Sequence, residues 1–193
     1  MEEFLNKLRQ YITEKAADPQ FIHHKWFTKW HLAIVETLSN DMLRYYPEAD
    51  ESTLIALSWM HDYGKIVDFD TQYDHKHIEA GRQEMIRLGF DEAFATKIAE
   101  SIKIFDKKDH LENESIEIRI VSSADACSHL VGPWISLYWQ ENPNIPFETI
   151  MKENARKLGG EWELKVTIPE AVRAYQQLHD DSLFRAEGTI QRI

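Results

Sequence analysis

Apolar side chains recur along this chain at spacings of three and four, the signature of helices with one buried face. Phe4, Leu5, Leu8, Tyr11 and Ile12 mark a first amphipathic helix that Asp18-Pro19 ends. A long helical pattern runs over about residues 21–46, carries Phe27, Ile34, Val35, Leu38, Met42 and Leu43, and stops at Pro47. A third helix starts near Asp50 or Ser52, turns Leu54, Leu57 and Met60 inward, and ends by Gly64. Residues 65–74 read as a polar, acidic connection. Further helices are expected over about 77–88, over 91–105 with Asp91 as N-cap, over 115–138, over 147–158, and from Pro169 to about residue 185. Residues 162–166 could form a short strand, but no pairing partner is evident, so they are assigned to loop. Seven glycines and six prolines are sparse punctuation, which again favours helices. The expectation is an all-α fold, with residues 1–193 forming a single domain of roughly seven to eight helices.

Composition narrows the function classes. At 43% apolar and 11% aromatic residues, the chain is not disordered as a whole. A chain of this length buries roughly 70% of its unfolded surface, so it needs no disulfide or structural metal for stability. Cys127 is the only cysteine, which excludes an internal disulfide and CxxC-type zinc sites. Its place two residues after Asp125 suggests a small buried hydrophobe.

Twenty-two Lys and Arg against 33 Asp and Glu give a net charge of −11. That field repels a phosphate backbone, so neither a nucleic-acid polymer nor an anionic membrane is expected as partner. A phosphorylated small molecule would need positive charge held locally. No stretch approaches eighteen apolar residues, and the Met1-Glu2-Glu3 start does not resemble a signal peptide, so a cytoplasmic location is expected. A homodimer is compatible with the sequence.

The nine histidines carry the chemistry. His31, the pair His61-Asp62, and Asp125 stand on three different expected helices, so only folding could bring them together. Imidazole nitrogens with carboxylate oxygens suit a divalent ion such as Mn, Fe, Co, Ni or Zn. Two neutral imidazoles and two carboxylates would neutralise a dication and leave coordination positions open. Adjacent helical residues point about 100° apart, so His61 and Asp62 can share an ion only where it lies close against the helix, which the nearby Gly64 exit permits.

His61-Asp62-Tyr63-Gly64-Lys65 resembles the signature of the HD superfamily of metal-dependent phosphohydrolases. The flanks agree: His31-Leu32-Ala33-Ile34-Val35 is similar to the family's first-histidine helix, His77-Ile78-Glu79-Ala80-Gly81 to its H-x-x-x-G segment, and residues 120–125 to the apolar run that ends in the last ligand. The motif-bearing core covers about residues 25–130, with C-terminal helices over 145–190 packed on it. The resemblance implies an HD-type helical bundle with His31, His61, Asp62 and Asp125 as metal ligands. Members with two metals use two further histidines. The second would fall near Phe105, where this chain reads Ile104-Phe105-Asp106, which favours one divalent ion, Mg included among the options.

The implied reaction is hydrolysis of a phosphomonoester or phosphodiester in a small molecule, with a nucleotide as the expected substrate, through attack of a metal-bound hydroxide. Asp62, Lys65 and His77 are the expected catalytic residues; Lys65, His77 and His129 are the expected substrate contacts. His129 follows Asp125 by four residues and shares its helix face. Against these stand blander readings: Lys65 as a solvated lysine, His129 as a satisfied interface residue, and Trp26, Trp30, Trp59, Trp134 and Trp139 as core rather than a base-stacking surface. His23, His24 and His75 read as surface residues, and His110 and His179 have no partner pattern. The acidic positions Asp68, Asp70 and Asp74 read as a solvated loop. Two competing functions are a di-iron HD-type oxygenase, against which the missing histidine counts, and a non-catalytic nucleotide-sensing module.

Overall fold

In the computed structural model, which describes residues 1–107 and 109–191 with side chains as far as residue 187, the chain is all-α. In order the helices are α1 (Glu2–Ala16), α2 (Ala33–Leu43), α3 (Glu51–Met60), α4 (Tyr63–Val67), α5 (His75–Arg87), α6 (Glu92–Lys107), α7 (Ile116–Val131), α8 (Trp134–Glu141), α9 (Phe147–Lys165) and α10 (Pro169–Gln191). A π-helical turn, Thr28–Leu32, leads into α2. Among the described residues there is no strand, and no helix is long and apolar enough to cross a membrane.

The packing centres on α7. Every residue from Ile120 to His129 is buried, because α2 and α3 cover one side of this helix and α9 and α10 another. Small side chains at Ser122, Ser123, Ala124, Ala126, Cys127 and Ser128 let the neighbours come close. Two of these serines also fix the C-terminal helices. Ser122 and Ser123 donate to the Lys165 carbonyl at 3.1 and 3.3 Å, while Ser123 Oγ accepts from Thr167 and Ile168 N–H. The end of α9 and the start of α10 are thereby tied to the central helix.

Several expected elements differ from those observed, each for an identifiable reason. The pattern over 21–46 is not one helix: residues 21–26 are a bend and turns, and the π-helical turn precedes α2. Phe21 and Phe27 meet edge-on at 5.1 Å and are both buried, a contact that a continuous helix, which would point them about 120° apart, does not allow. The helix from Asp50 ends at Met60, and α4 begins immediately after the His61-Asp62 break, so residues 65–67 are helical rather than part of a connection. The 115–138 pattern divides at Gly132-Pro133, where proline disfavours continuation. Residues 162–165 are neither strand nor loop, because α9 runs on through Gly159 and Gly160 to Lys165. Glycine costs about 1 kcal/mol in a helix; here the buried Leu158 and Lys165 side chains and the serine clamp on the Lys165 carbonyl offset it. Asp91 caps its helix as expected, accepting from Ala93 N at 2.8 Å, and Asp50, the first of the two expected starts, accepts from Ser52 N.

Two glycines allow close approach around the His61-Asp62 break. A Cβ on Gly81 would lie 2.7 Å from Met60 Cε, and one on Gly64 would lie 2.1 Å from the Gln72 carbonyl oxygen. The second contact is with backbone and has no side chain to swing away. We therefore expect Gly64→Ala to destabilise the protein by about 1–3 kcal/mol, read as a lower urea midpoint. An unchanged midpoint would show that the chain around Gln72 is not held against α4.

Candidate metal centre

Each element of the centre is placed by a local departure from regular helix. His31 lies in the π-helical turn, a distortion that re-aims side chains and recurs at functional sites. Between α3 and α4, Asp62 takes φ −109° and ψ 18°, outside the helical region. This break lets adjacent side chains face one centre that a continuous helix would have separated. Asp125 reaches the same point from the middle of α7.

The donor atoms converge. His31 Nε2 is 3.2 Å from Asp62 Oδ2 and 3.5 Å from Asp125 Oδ1; His61 Nε2 is 3.5 and 3.7 Å from the same two oxygens. His31, His61 and Asp125 are each 4% exposed, so water contributes little to their solvation. Hydrogen bonds on the far side of each ring fix the tautomers. His61 Nδ1–H donates to the Ser58 carbonyl at 3.0 Å. Ser128 Oγ donates to the Asp125 carbonyl at 2.7 Å and so accepts from His31 Nδ1–H at 3.1 Å. Both Nε2 lone pairs therefore point at carboxylate oxygens, and His61 Nε2 is buried without a hydrogen-bond partner. Four acceptors facing one another are satisfied by a cation, and two imidazoles with two carboxylates suit a divalent one.

The carboxylates are held ionised. Burial alone would raise the Asp125 carboxyl, but Lys165, His61 and His31 outweigh it and keep it well below the ordinary range. For Asp62, burial is likewise outweighed by Lys65, His61 and His31. Burial drives His31 down to about 4, so it stays neutral. Burial also opposes a charge on His61, but Asp62 and Asp125 prevail and raise it.

Lys65 Nζ contacts Asp62 Oδ2 at 2.6 Å, which places this lysine against the centre rather than in solvent. Lys165, on α9, was not recognised in the sequence. Its ammonium is buried on Asp125 Oδ2 and lies 3.4 Å from Glu161 Oε1. Burial disfavours its charge, but these carboxylates hold it firmly protonated. Glu161, also unrecognised, is 2.8 Å from both Lys157 Nζ and His129 Nδ1. A lysine and a glutamate at helical spacing look like an ordinary surface pair, so no local signal marked them.

His129 is buried and stacks on the His31 ring at 5.3 Å. A ring nitrogen of His129 lies within 4.8 Å of ligand atoms of His31 and Asp125. His77 is elsewhere: its Nε2 meets Thr71 Oγ1 at 2.9 Å, and it borders a cleft of about 10 Å³ shared with His61, Gly64 and Asp106. It does not border the large cavity above His31. That cavity, about 470 Å³, has Trp26, Phe27, Phe69, Tyr73, Trp134 and Tyr138 in its walls and Lys65, Arg156 and Lys157 as its cations. Trp59 is core, while Trp30 and Trp139 are exposed.

Of the histidines read as surface, His75 is exposed; His110, which has no partner pattern in the sequence, is exposed as well. His24 is half-buried against the Phe21 carbonyl. His23 departs from that reading: it is half-buried in the cavity wall, with Nδ1 2.7 Å from Glu141. Turns over 21–26 rather than helix bring it there. Asp68, Asp70 and Asp74 are exposed, and Asp68 caps a short 3₁₀ turn. Cys127 is fully buried, its thiol pushed up to about 12 by burial and by Asp125.

Comparison with curated proteins gives no match, and comparison with solved structures gives none. The HD domain model matches residues 30–130, just over half of the chain and the part that contributes all four converging side chains. The chain belongs to the HD domain family, whose members are generally metal-dependent hydrolases of phosphate compounds.

Proposed function

We propose that the protein is a phosphohydrolase that holds one divalent ion through His31, His61, Asp62 and Asp125 and cleaves a phosphoester of a small molecule, best fitted by a nucleotide. The observation that carries this reading is the convergence of four acceptor atoms, three of them on buried side chains, beneath a cavity whose walls are aromatic and whose cations are Lys65, Arg156 and Lys157. A divalent ion supplies Lewis acidity there and makes water a competent nucleophile near neutral pH.

The chain's own residues do the rest. Lys65 and Lys165 each neutralise one of the two carboxylates, so the charge of a bound cation is left to act on an incoming anion. Lys65, Arg156 and Lys157 add the local positive field that the net charge of −11 makes necessary. Trp26, Phe69, Tyr73 and Trp134 offer faces for a planar base, and stacking of this kind tolerates different bases. His129, between the centre and the cavity, is placed to meet the phosphate or its leaving oxygen. His77 is placed to support the 65–74 segment through Thr71, which itself donates to Asp68.

Metal analysis of the purified protein, followed by assays on a phosphoester panel with added Mn, Co, Ni, Zn or Mg, tests the proposal directly. Turnover of no phosphoester with any of these ions would reject it. Asp62→Ala is expected to lose bound metal and activity together; full metal occupancy in that variant would remove Asp62 from the ligand set.

Metal affinity should also depend on pH. Binding must displace the proton that the carboxylates favour on His61, whose pKa lies above 6.5. Apparent affinity should fall by about tenfold per pH unit below that pKa, measured by calorimetry between pH 5 and 8. A flat profile would show that His61 does not contribute its Nε2. Lys165→Met leaves Asp125 and Glu161 as buried charges without their shared cation. It should cost the metal-free protein about 3–5 kcal/mol and should shift thermal unfolding much less when metal is bound than in chelator. Equal losses in the two conditions would show that Lys165 does not act through the centre.

A further inference from the structure

Helix α8 stands between two cavities. Trp134 and Tyr138 border the cavity of about 470 Å³ above His31, while Ile135, Ser136 and Trp139 border a second one, of about 330 Å³, that α9 and α10 also line. Protein interiors are close-packed, with few voids larger than a water molecule, so open space along two sides of one helix is unusual. None of the eight residues of α8 is buried; Trp134 and Leu137 rest on the main core but are only half-buried. The start of the helix is fixed, because Gly132 N–H donates to the Ser128 carbonyl at 2.9 Å and a Cβ on Gly132 would lie 2.8 Å from that oxygen. Beyond its covalent link, the far end is held through side chains. Glu141 accepts from Trp26 Nε1–H at 2.6 Å and from His23 Nδ1–H at 2.7 Å, and the Tyr138 hydroxyl donates to Glu153 at 2.8 Å. The macrodipole disfavours a carboxylate on the last residue of a helix, so α8 itself gives no reason for Glu141. The clasp on His23 and Trp26, which line the same cavity from another element, does.

We propose that α8 is a movable wall of the larger cavity and that Glu141 is its latch, a positioning residue that closes the wall onto His23 and Trp26. With the latch released, α8 pivots at Gly132-Pro133 and moves back into the space beside Ile135 and Trp139, which widens the cavity above His31. With the latch made, Trp134 and Tyr138, stacked at 5.3 Å, are held in the wall of the same cavity as Trp26 and Phe69. A helix with few buried contacts, tied at one end by a pair of hydrogen bonds, is the kind of element that opens locally at low cost and closes on a ligand. The use of this motion in substrate entry and release rests on the phosphohydrolase reading; the motion itself does not.

Distances between spin labels test this on the full-length protein, without metal or substrate. Ala80→Cys on α5 and Gln140→Cys on α8 place the labels at exposed positions, and Cys127 is fully buried and stays unlabelled. The labelled parent is expected to show one dominant distance. Glu141→Ala should populate a second distance about tenfold or more above its level in the parent, as the loss of two hydrogen bonds to a charged group implies. Glu141→Gln keeps an acceptor oxygen for one of the two donors and should fall between. Ser182→Phe, at a half-buried position of α10 on the second cavity, fills the space behind α8 and should suppress the second distance in the Glu141→Ala background. A distance distribution unchanged by Glu141→Ala would overturn the proposal. So would loss of hydrogen-exchange protection throughout α8 in that variant, because the helix would then unravel rather than move. A phosphoester panel without turnover, alongside the second distance, would reject the hydrolytic reading and leave the movable wall standing.

Discussion

Two imidazole nitrogens face two carboxylate oxygens at N···O distances of 3.2 to 3.7 Å in a region that water scarcely reaches. Like-signed lone pairs are not brought together in a low-dielectric interior unless something positive sits among them. The surrounding structure serves this one constraint. The Ser58 carbonyl and Ser128 hydroxyl fix which nitrogen of each ring carries the proton, and the π-helical turn and the His61-Asp62 break aim side chains that regular helices would have spread apart.

The charge around this centre is organised in layers. Asp62 and Asp125 are each matched by a lysine, and Glu161 is matched by Lys157, Lys165 and His129. A carboxylate buried beside its own ammonium keeps its ionised form at neutral pH without relying on a metal. The same arrangement explains how a strongly acidic chain can present a cavity lined by Lys65, Arg156 and Lys157. Part of that apparatus comes from α9, which lies beyond the 30–130 family match. The family core contributes the converging donors together with Lys65, and α9 contributes Lys165, which balances Asp125.

The sequence alone determined the all-α class, the approximate position of most helices, and the four residues that converge. Helical periodicity registers burial on one face, and the HD motif ties His31, His61, Asp62 and Asp125 to one another through spacings that have to be met in the chain itself. Tertiary structure decided the rest. Periodicity could not foresee the turns at 21–26, because they bring Phe21 onto Phe27 through a contact that no helical spacing registers. It could not foresee that α9 would continue through Gly159-Gly160, because the compensating hydrogen bonds come from Ser122 and Ser123 some forty residues earlier. Lys165 and Glu161 were likewise unreadable in sequence. Their ordinary residue types acquire significance only from what packing places opposite them, and that depends on contacts between helices distant along the chain.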